Sequence, residues 1–185
     1  MGDAGIDVDL SQGAGCHVKN GKIMSGIPNK TSSKLRATFE GYFEDTRVFE
    51  APLTDSDHIA GVTLPGKGII VSEGVYVERF MDPQFMDLLK HEYGHILQAK
   101  AWGRFAFYDI IGHESLYSAT FHPDSHSTFW TETHANYHTQ NYFDGPSGMW
   151  LDGFNSIDYP VAGLSHQNYL RLSTSQYIGK LLGMD

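Results

Sequence analysis

Met81 to Gly103 reads MDPQFMDLLKHEYGHILQAKAWG, and what this stretch becomes decides how the rest of the chain is arranged. Asp82 is suited to cap a helix N-terminus, because its carboxylate accepts from the free backbone N–H groups of the first turn. Pro83 fits the first helical position, where a missing N–H costs nothing. Gly103 offers a stop in the left-handed conformation. The helix between them would be a rod of roughly 30 Å. At about 100° per residue, Phe85, Leu88, Leu89, Ile96 and Ala99 gather on one face, and Asp87, Lys90 and Gln98 fall on the other.

His91-Glu92-Tyr93-Gly94-His95 is an HExxH motif inside that helix. His91 and His95 stack on successive turns at one edge of the apolar face, with Glu92 beside them. Two imidazoles so spaced can share one Zn²⁺ at about 2.0–2.1 Å, which leaves the adjacent carboxylate next to a metal-held water. A charged Glu on a core-facing edge is costly without a metal or partner. The motif therefore predicts a zinc site with Glu92 as its general base.

A catalytic zinc needs a third protein ligand and one open position. FWTETHANYHTQNYF, from Phe129 to Phe143, predicts a second helix that starts near Ser127 or Thr128 and ends before Asp144-Gly145-Pro146. Glu132, Ala135, Asn136 and Thr139 share one face of it, and His134 and His138 point roughly opposite. Only one face can meet the zinc. The Glu132 face carries small residues that permit close approach, and Asn136, one turn on, can hold a ligating imidazole from behind.

HExxH followed by a Glu on a later helix resembles the gluzincin group of zinc metallopeptidases, whose third-ligand motif often reads Glu-x-x-x-Asp. Here the run is Glu132-Thr133-His134-Ala135-Asn136, with Asn in place of the Asp. Residues 83 to 143 are also similar to small HEYGH…WTExxAN domains of bacterial proteins, some of them attached to RHS-type or other secreted toxin-like proteins. The resemblance implies His91, His95 and Glu132 as zinc ligands and Glu92 as catalytic base. It leaves the oxyanion donor open among Tyr117, His113, His122, His126 and Tyr137.

The wider chain sets bounds. One domain fits 185 residues, and 41% apolar content builds a core. A net charge of −9 argues against nucleic acid as a partner. The single cysteine, Cys16, excludes an intrachain disulfide and reads as an incidental thiol. No run reaches the roughly 18 apolar residues of a transmembrane helix, and the N-terminus lacks a secretory signal pattern. The chain is thus expected to be cytoplasmic, exported by a secretion-system route, or part of a larger secreted protein.

Residues 1–33 are polar and Gly-rich and read as an irregular lead-in to a single domain spanning 34–185. From Leu35 to Phe43 apolar and polar residues alternate, the pattern of a half-buried strand. Val48 to Leu53, Ile59 to Leu64, Gly68 to Ser72 and Gly74 to Val77 continue as short β-prone runs. Arg104 to Thr128 reads as a long connection, and a last helical pattern runs through Tyr169, Leu172 and Leu181. Strands first and helices second predict an α+β fold with a small antiparallel or mixed sheet. Gly68 to Ser72 is a candidate edge for aligning an extended peptide, or else a core strand.

Peptide hydrolysis of a protein or peptide substrate, with endopeptidase cleavage expected, is the activity this pattern favours. Two other classes stay open: an effector domain of an exported toxin, and a binding module in which zinc only ties helices together.

Overall fold

A computed structural model of the chain describes residues 6–9, 14–19, 22–25, 34–53, 59–121, 123–145 and 154–162. The strands are β1 (Ile6–Asp9), β2 (Ala14–Lys19), β3 (Lys22–Ser25), β4 (Lys34–Phe43), β5 (Thr46–Ala51), β6 (Ile59–Leu64) and β7 (Gly68–Ser72). They form one seven-stranded sheet in the order β1-β4-β5-β7-β6-β2-β3. The consecutive pairs β2–β3, β4–β5 and β6–β7 are antiparallel, whereas β5 and β7 run parallel, with Val48 opposite Ile69. Helices follow: α1 (Val75–Glu78), α2 (Pro83–Trp102), α3 (Arg104–Ala106), α4 (His113–Phe121) and α5 (Trp130–Phe143). The fold is α+β with a mixed sheet.

Alternation along the strands supplies both faces of the sheet. Val48, Ile69 and Val71 pack with Leu88, Leu89, Tyr93 and Ile96 of α2, and Phe143 of α5 joins them. Phe49 and Ile70 pack instead with Ala37, Leu53, Ala60, Val62 and Leu64. Each fully buried Leu, Ile or Val of these clusters contributes about 1.5–3 kcal/mol relative to exposure. All five residues of β7 are buried, and the strand lies between β5 and β6. Gly68 to Ser72 is therefore a core strand and not an exposed edge, which explains why it carries no polar alternation.

Helix α2 begins as its sequence predicts. Asp82 accepts a hydrogen bond from the Gln84 N–H at 2.9 Å, and Pro83 opens the first turn. Gly103 closes it at φ 84, but with ψ 148 rather than the left-handed helical value. Its apolar stripe is wider than the wheel suggests. Lys90 and Gln98, assigned by the wheel to the polar side, are both buried. Lys90 runs its amine over the Phe143 ring at 5.7 Å, and Gln98 is drawn in by side-chain hydrogen bonds described below. Among the described residues no helix is long and apolar enough to cross a membrane.

Other elements differ from expectation. Residues 1–33, read as an irregular lead-in, contain β1, β2 and β3. Gly74 to Val77 is not a strand, because Val75–Glu78 forms a helical turn held by the Glu50 carboxylate, which accepts from the Gly74 and Tyr76 N–H groups. Arg104 to Thr128 is helical rather than a loose connection: α3, a π-turn at Phe107–Gly112, α4 and a 3-10 helix at Pro123–Thr128. That 3-10 helix takes up Ser127 and Thr128, so Phe129 stands at the N-cap of α5 without a side-chain cap. The helical pattern around Tyr169 to Leu181 lies outside the described residues.

Candidate metal centre

Two glycines make the centre possible. A Cβ on Gly94 would stand 2.2 Å from Thr139 Oγ1 and 2.5 Å from the Ala135 carbonyl oxygen, so α2 and α5 meet there almost backbone to backbone. A Cβ on Gly61 of β6 would stand 2.6 Å from Glu92 Oε1. With nothing larger at either position, α5 and β6 both close on the HExxH turn. The Glu132, Ala135, Asn136 and Thr139 face of α5 is the one that meets α2, and all four residues are buried.

Both motif histidines are oriented from behind. Asn136 Nδ2 donates to the Pro160 carbonyl at 2.9 Å, which turns its Oδ1 toward His91 Nδ1 at 2.6 Å. Gln98 Nε2 donates to the Thr131 carbonyl at 2.8 Å, which turns its Oε1 toward His95 Nδ1 at 2.8 Å. In each pair the carboxamide oxygen accepts, so Nδ1 must carry the proton. That leaves Nε2 of each ring, once it gives up any proton, as the nitrogen that can bind a ligand. His91 Nε2 is buried and has no hydrogen-bond partner, an arrangement that costs energy unless something electrophilic sits against it.

Glu132 divides its two oxygens. Oε1 accepts from Ser115 Oγ at 2.6 Å and Thr131 Oγ1 at 2.9 Å, with His126 Nε2 at 3.8 Å. Oε2 faces His91 Nε2 at 3.4 Å and His95 Nε2 at 3.2 Å. One oxygen is tethered and the other is presented. Burial opposes ionisation of this carboxyl. The charges of His126 and His95 and the closeness of the His91 and His95 rings to Oε2 outweigh burial and hold it well below the usual carboxylate range. Burial likewise works to lower His95, but Glu132, then Glu92 and Gln98, carry it up to about 9. Ligand atoms of His91, His95 and Glu132 all lie within 4.8 Å of one another, and this buried cluster can hold a metal ion. Two imidazoles and one carboxylate are one of several donor sets known for three-ligand metal sites.

Glu92 lies on the β6 side of the cluster. Thr63 Oγ1 stands 2.7 Å from its Oε2 and 2.8 Å from its backbone carbonyl, which fixes side chain and helix together. Glu92, His91, His95 and Glu132 are each no more than about one percent exposed.

Of the remaining candidates, His126 comes closest: it is fully buried, its Nδ1 lies 2.6 Å from Ser118 Oγ, and its other nitrogen faces Glu132. Tyr137 stacks on His134 at 6.3 Å and packs against His138, on the flank of α5 away from Glu132. His113 is exposed and meets the Asp109 carbonyl at 3.2 Å. Tyr117 is exposed and packs on Phe121. His122 lies outside the described residues.

Thr63, Gln98, Ser115, Thr131 and Tyr159, whose ring packs on His91 at 5.3 Å, join the centre without being singled out by the sequence. Gln98 had a readable signal, since it follows His95 by three and so shares its helix face. Thr63 and Ser115 had none, because only the tertiary fold brings them in. Comparison with family models, curated proteins and solved structures finds no match for this chain.

Proposed function

We propose that the chain is a zinc-dependent hydrolase of peptide bonds, with His91, His95 and Glu132 holding the ion and Glu92 as general base. The observation that carries this is the convergence of two lone-pair-ready imidazoles and one presented carboxylate oxygen beside a second, separately anchored carboxylate. When bound, zinc supplies Lewis acidity and lowers the pKa of a held water toward about 7. Glu92, kept in place by Thr63, accepts the proton of the attacking water and hands it to the leaving amine. Asn136 and Gln98 keep both ligand rings from turning, so the geometry is set before substrate arrives.

A second reading takes its support from burial. A centre closed on every side suits a zinc that only ties α2 to α5, as in structural sites. Glu92→Gln separates the two. Zinc content and hydrolysis of a quenched-fluorescent peptide library are measured on wild type and variant. The catalytic reading expects one zinc per chain in both, with hydrolysis falling about 10²–10⁴-fold in the variant. Equal zinc, and hydrolysis indifferent to Glu92→Gln, would leave the structural reading standing.

A further inference from the structure

The chain as a whole is acidic, with 22 Asp and Glu against 13 Lys and Arg, and one part of its surface reverses that balance. A cavity of about 470 Å³ opens between the β4–β5 hairpin, the β6–β7 turn and α2. Asp45, Arg47, Lys67 and Lys100 supply its charges, and Ile96 gives it an apolar wall. Asp45 is spent on its own neighbours. Its Oδ2 accepts from Lys100 Nζ at 2.7 Å, and its Oδ1 accepts from the Tyr93 hydroxyl at 3.0 Å and the Thr46 hydroxyl at 3.2 Å. Asp45 and Lys100 cancel, which leaves Arg47 and Lys67 as the net charge of the cavity.

Neither of these two cations has an ion-pair partner among the described residues. The peptide oxygens of the β6–β7 turn are occupied as well. The Leu64 carbonyl accepts from the Lys67 N–H at 2.8 Å and the Pro65 carbonyl from the Tyr108 hydroxyl at 2.9 Å. The Gly66 carbonyl accepts from Arg47 Nη2 at 3.4 Å, and the Phe49 ring lies 5.9 Å from the same guanidinium, so Arg47 is held at the cavity. Arg104 adds a third cation at this turn: a Cβ on Gly66 would stand 2.9 Å from its Nη1. Like charges gathered without carboxylates repel one another, and a bound anion relieves that repulsion. A chain of net charge −9 repels polyanions at long range, so the matching group is compact and held by short contacts. A guanidinium fork beside a mobile ammonium suits a carboxylate or a phosphate monoester. We propose that this cavity binds a small acidic ligand, with Arg47 and Lys67 contacting its carboxylate or phosphate group. The volume falls within the range of roughly 300–1,000 Å³ typical of small-ligand sites, so the acidic group belongs to a larger molecule whose uncharged part meets Ile96.

The site is independent of the metal centre, and its test uses the isotope-labelled full chain without added metal. Inorganic phosphate and succinate are titrated separately and followed by the amide signals of Gly66, Lys67 and Gly68. The expected result is a saturable shift with at least one of the two anions. Affinity should fall at least about tenfold when Arg47→Gln is combined with Lys67→Gln, the loss expected for charge-assisted hydrogen bonds. Both side chains are exposed, so the double variant keeps the fold. Arg36→Gln removes the same charge from β4 about 20 Å back from Tyr42 and should leave affinity unchanged. Saturation by phosphate alone assigns the ligand a phosphate group, and saturation by succinate alone assigns it carboxylates. Shifts that rise linearly with both anions would overturn the site. Equal weakening in Arg36→Gln would also overturn it, since the attraction would then belong to the surface at large.

Discussion

The molecule contains the same spacing twice. His91 and His95 sit four apart on α2, and His134 and His138 sit four apart on α5, their rings 5.1 Å and 4.6 Å apart. On spacing alone either pair can chelate a metal. The surroundings separate them. The α2 pair faces a carboxylate oxygen, and each of its rings is turned by a carboxamide that is itself fixed to a backbone carbonyl. The α5 pair has Trp102 and Tyr137 for neighbours, and His134 Nδ1 lies 3.1 Å from the Nε2 end of the Gln98 carboxamide rather than against a presented carboxylate oxygen such as that of Glu132. Spacing is a property of any helix; a site requires that other elements deliver a charge and fix the tautomers.

The largest effect expected from this contrast is in metal content. Glu132→Ala should abolish stoichiometric zinc binding, since it removes a candidate ligand and leaves two buried imidazoles without their carboxylate. His134→Ala with His138→Ala should keep one zinc per chain. Metal analysis of the three proteins after purification without added metal checks it. Zinc lost with the histidines and kept without Glu132 would exchange the roles of the two pairs.

How much of this is legible in sequence depends on range. Helix α2 is written locally, in Asp82, Pro83 and the positions of Leu88, Leu89 and Ile96, so its bounds and its two candidate ligands can be read directly. Glu132 is legible because the small Ala135 and Thr139 share its face and mark the side that can approach Gly94. Strands β1 to β3 are short and polar, and the register of Lys19 with Lys22 shows where a signal was missed. Only Asn20-Gly21 separates them, a pair that favours two-residue hairpin turns. The π-turn at Phe107–Gly112 shifts the helical phase between α3 and α4, and no single 3.6-residue period spans that region. Lys90 and Gln98 fail a polarity rule because each finds its partner, a ring or a peptide carbonyl, only in the assembled fold.

A smaller effect tests the carboxamides. Asn136→Ala should keep the three ligands but free the His91 ring, weakening zinc affinity about 10–100-fold, the usual cost of losing such an outer partner. Competition with a chromophoric chelator measures this. Asn136→Asp should restore only part of the affinity, because a carboxylate can accept the same Nδ1 proton but has no N–H for the Pro160 carbonyl. A loss as complete as that of Glu132→Ala would mean that Asn136 holds the helix crossing itself rather than one ring.

The smallest effect is in pH dependence, and it sharpens the contrast because His95 and His134 are shifted in opposite directions in the metal-free chain. Burial, then His138 and His95, push His134 down to about 4. His95 stands at about 9, because Glu132 and Glu92 outweigh its burial. The unfolded chain protonates a histidine near 6.5. Between about 4 and 6.5 the unfolded state binds the extra proton at His134, so that contribution to stability is present above 6.5 and is lost as pH falls toward 4. Between about 6.5 and 9 the folded state binds the extra proton at His95, so that contribution is present below 6.5 and is lost as pH rises through 9. Urea midpoints of the metal-free chain should therefore peak near pH 6.5, with His134→Gln flattening the acid side only. Zinc saturation should reverse the alkaline side, because His95 must be deprotonated to bind and alkali then favours the folded, loaded state. An alkaline side unaffected by zinc would mean that the raised histidine lies outside the centre, and the contrast between the pairs would fall with it.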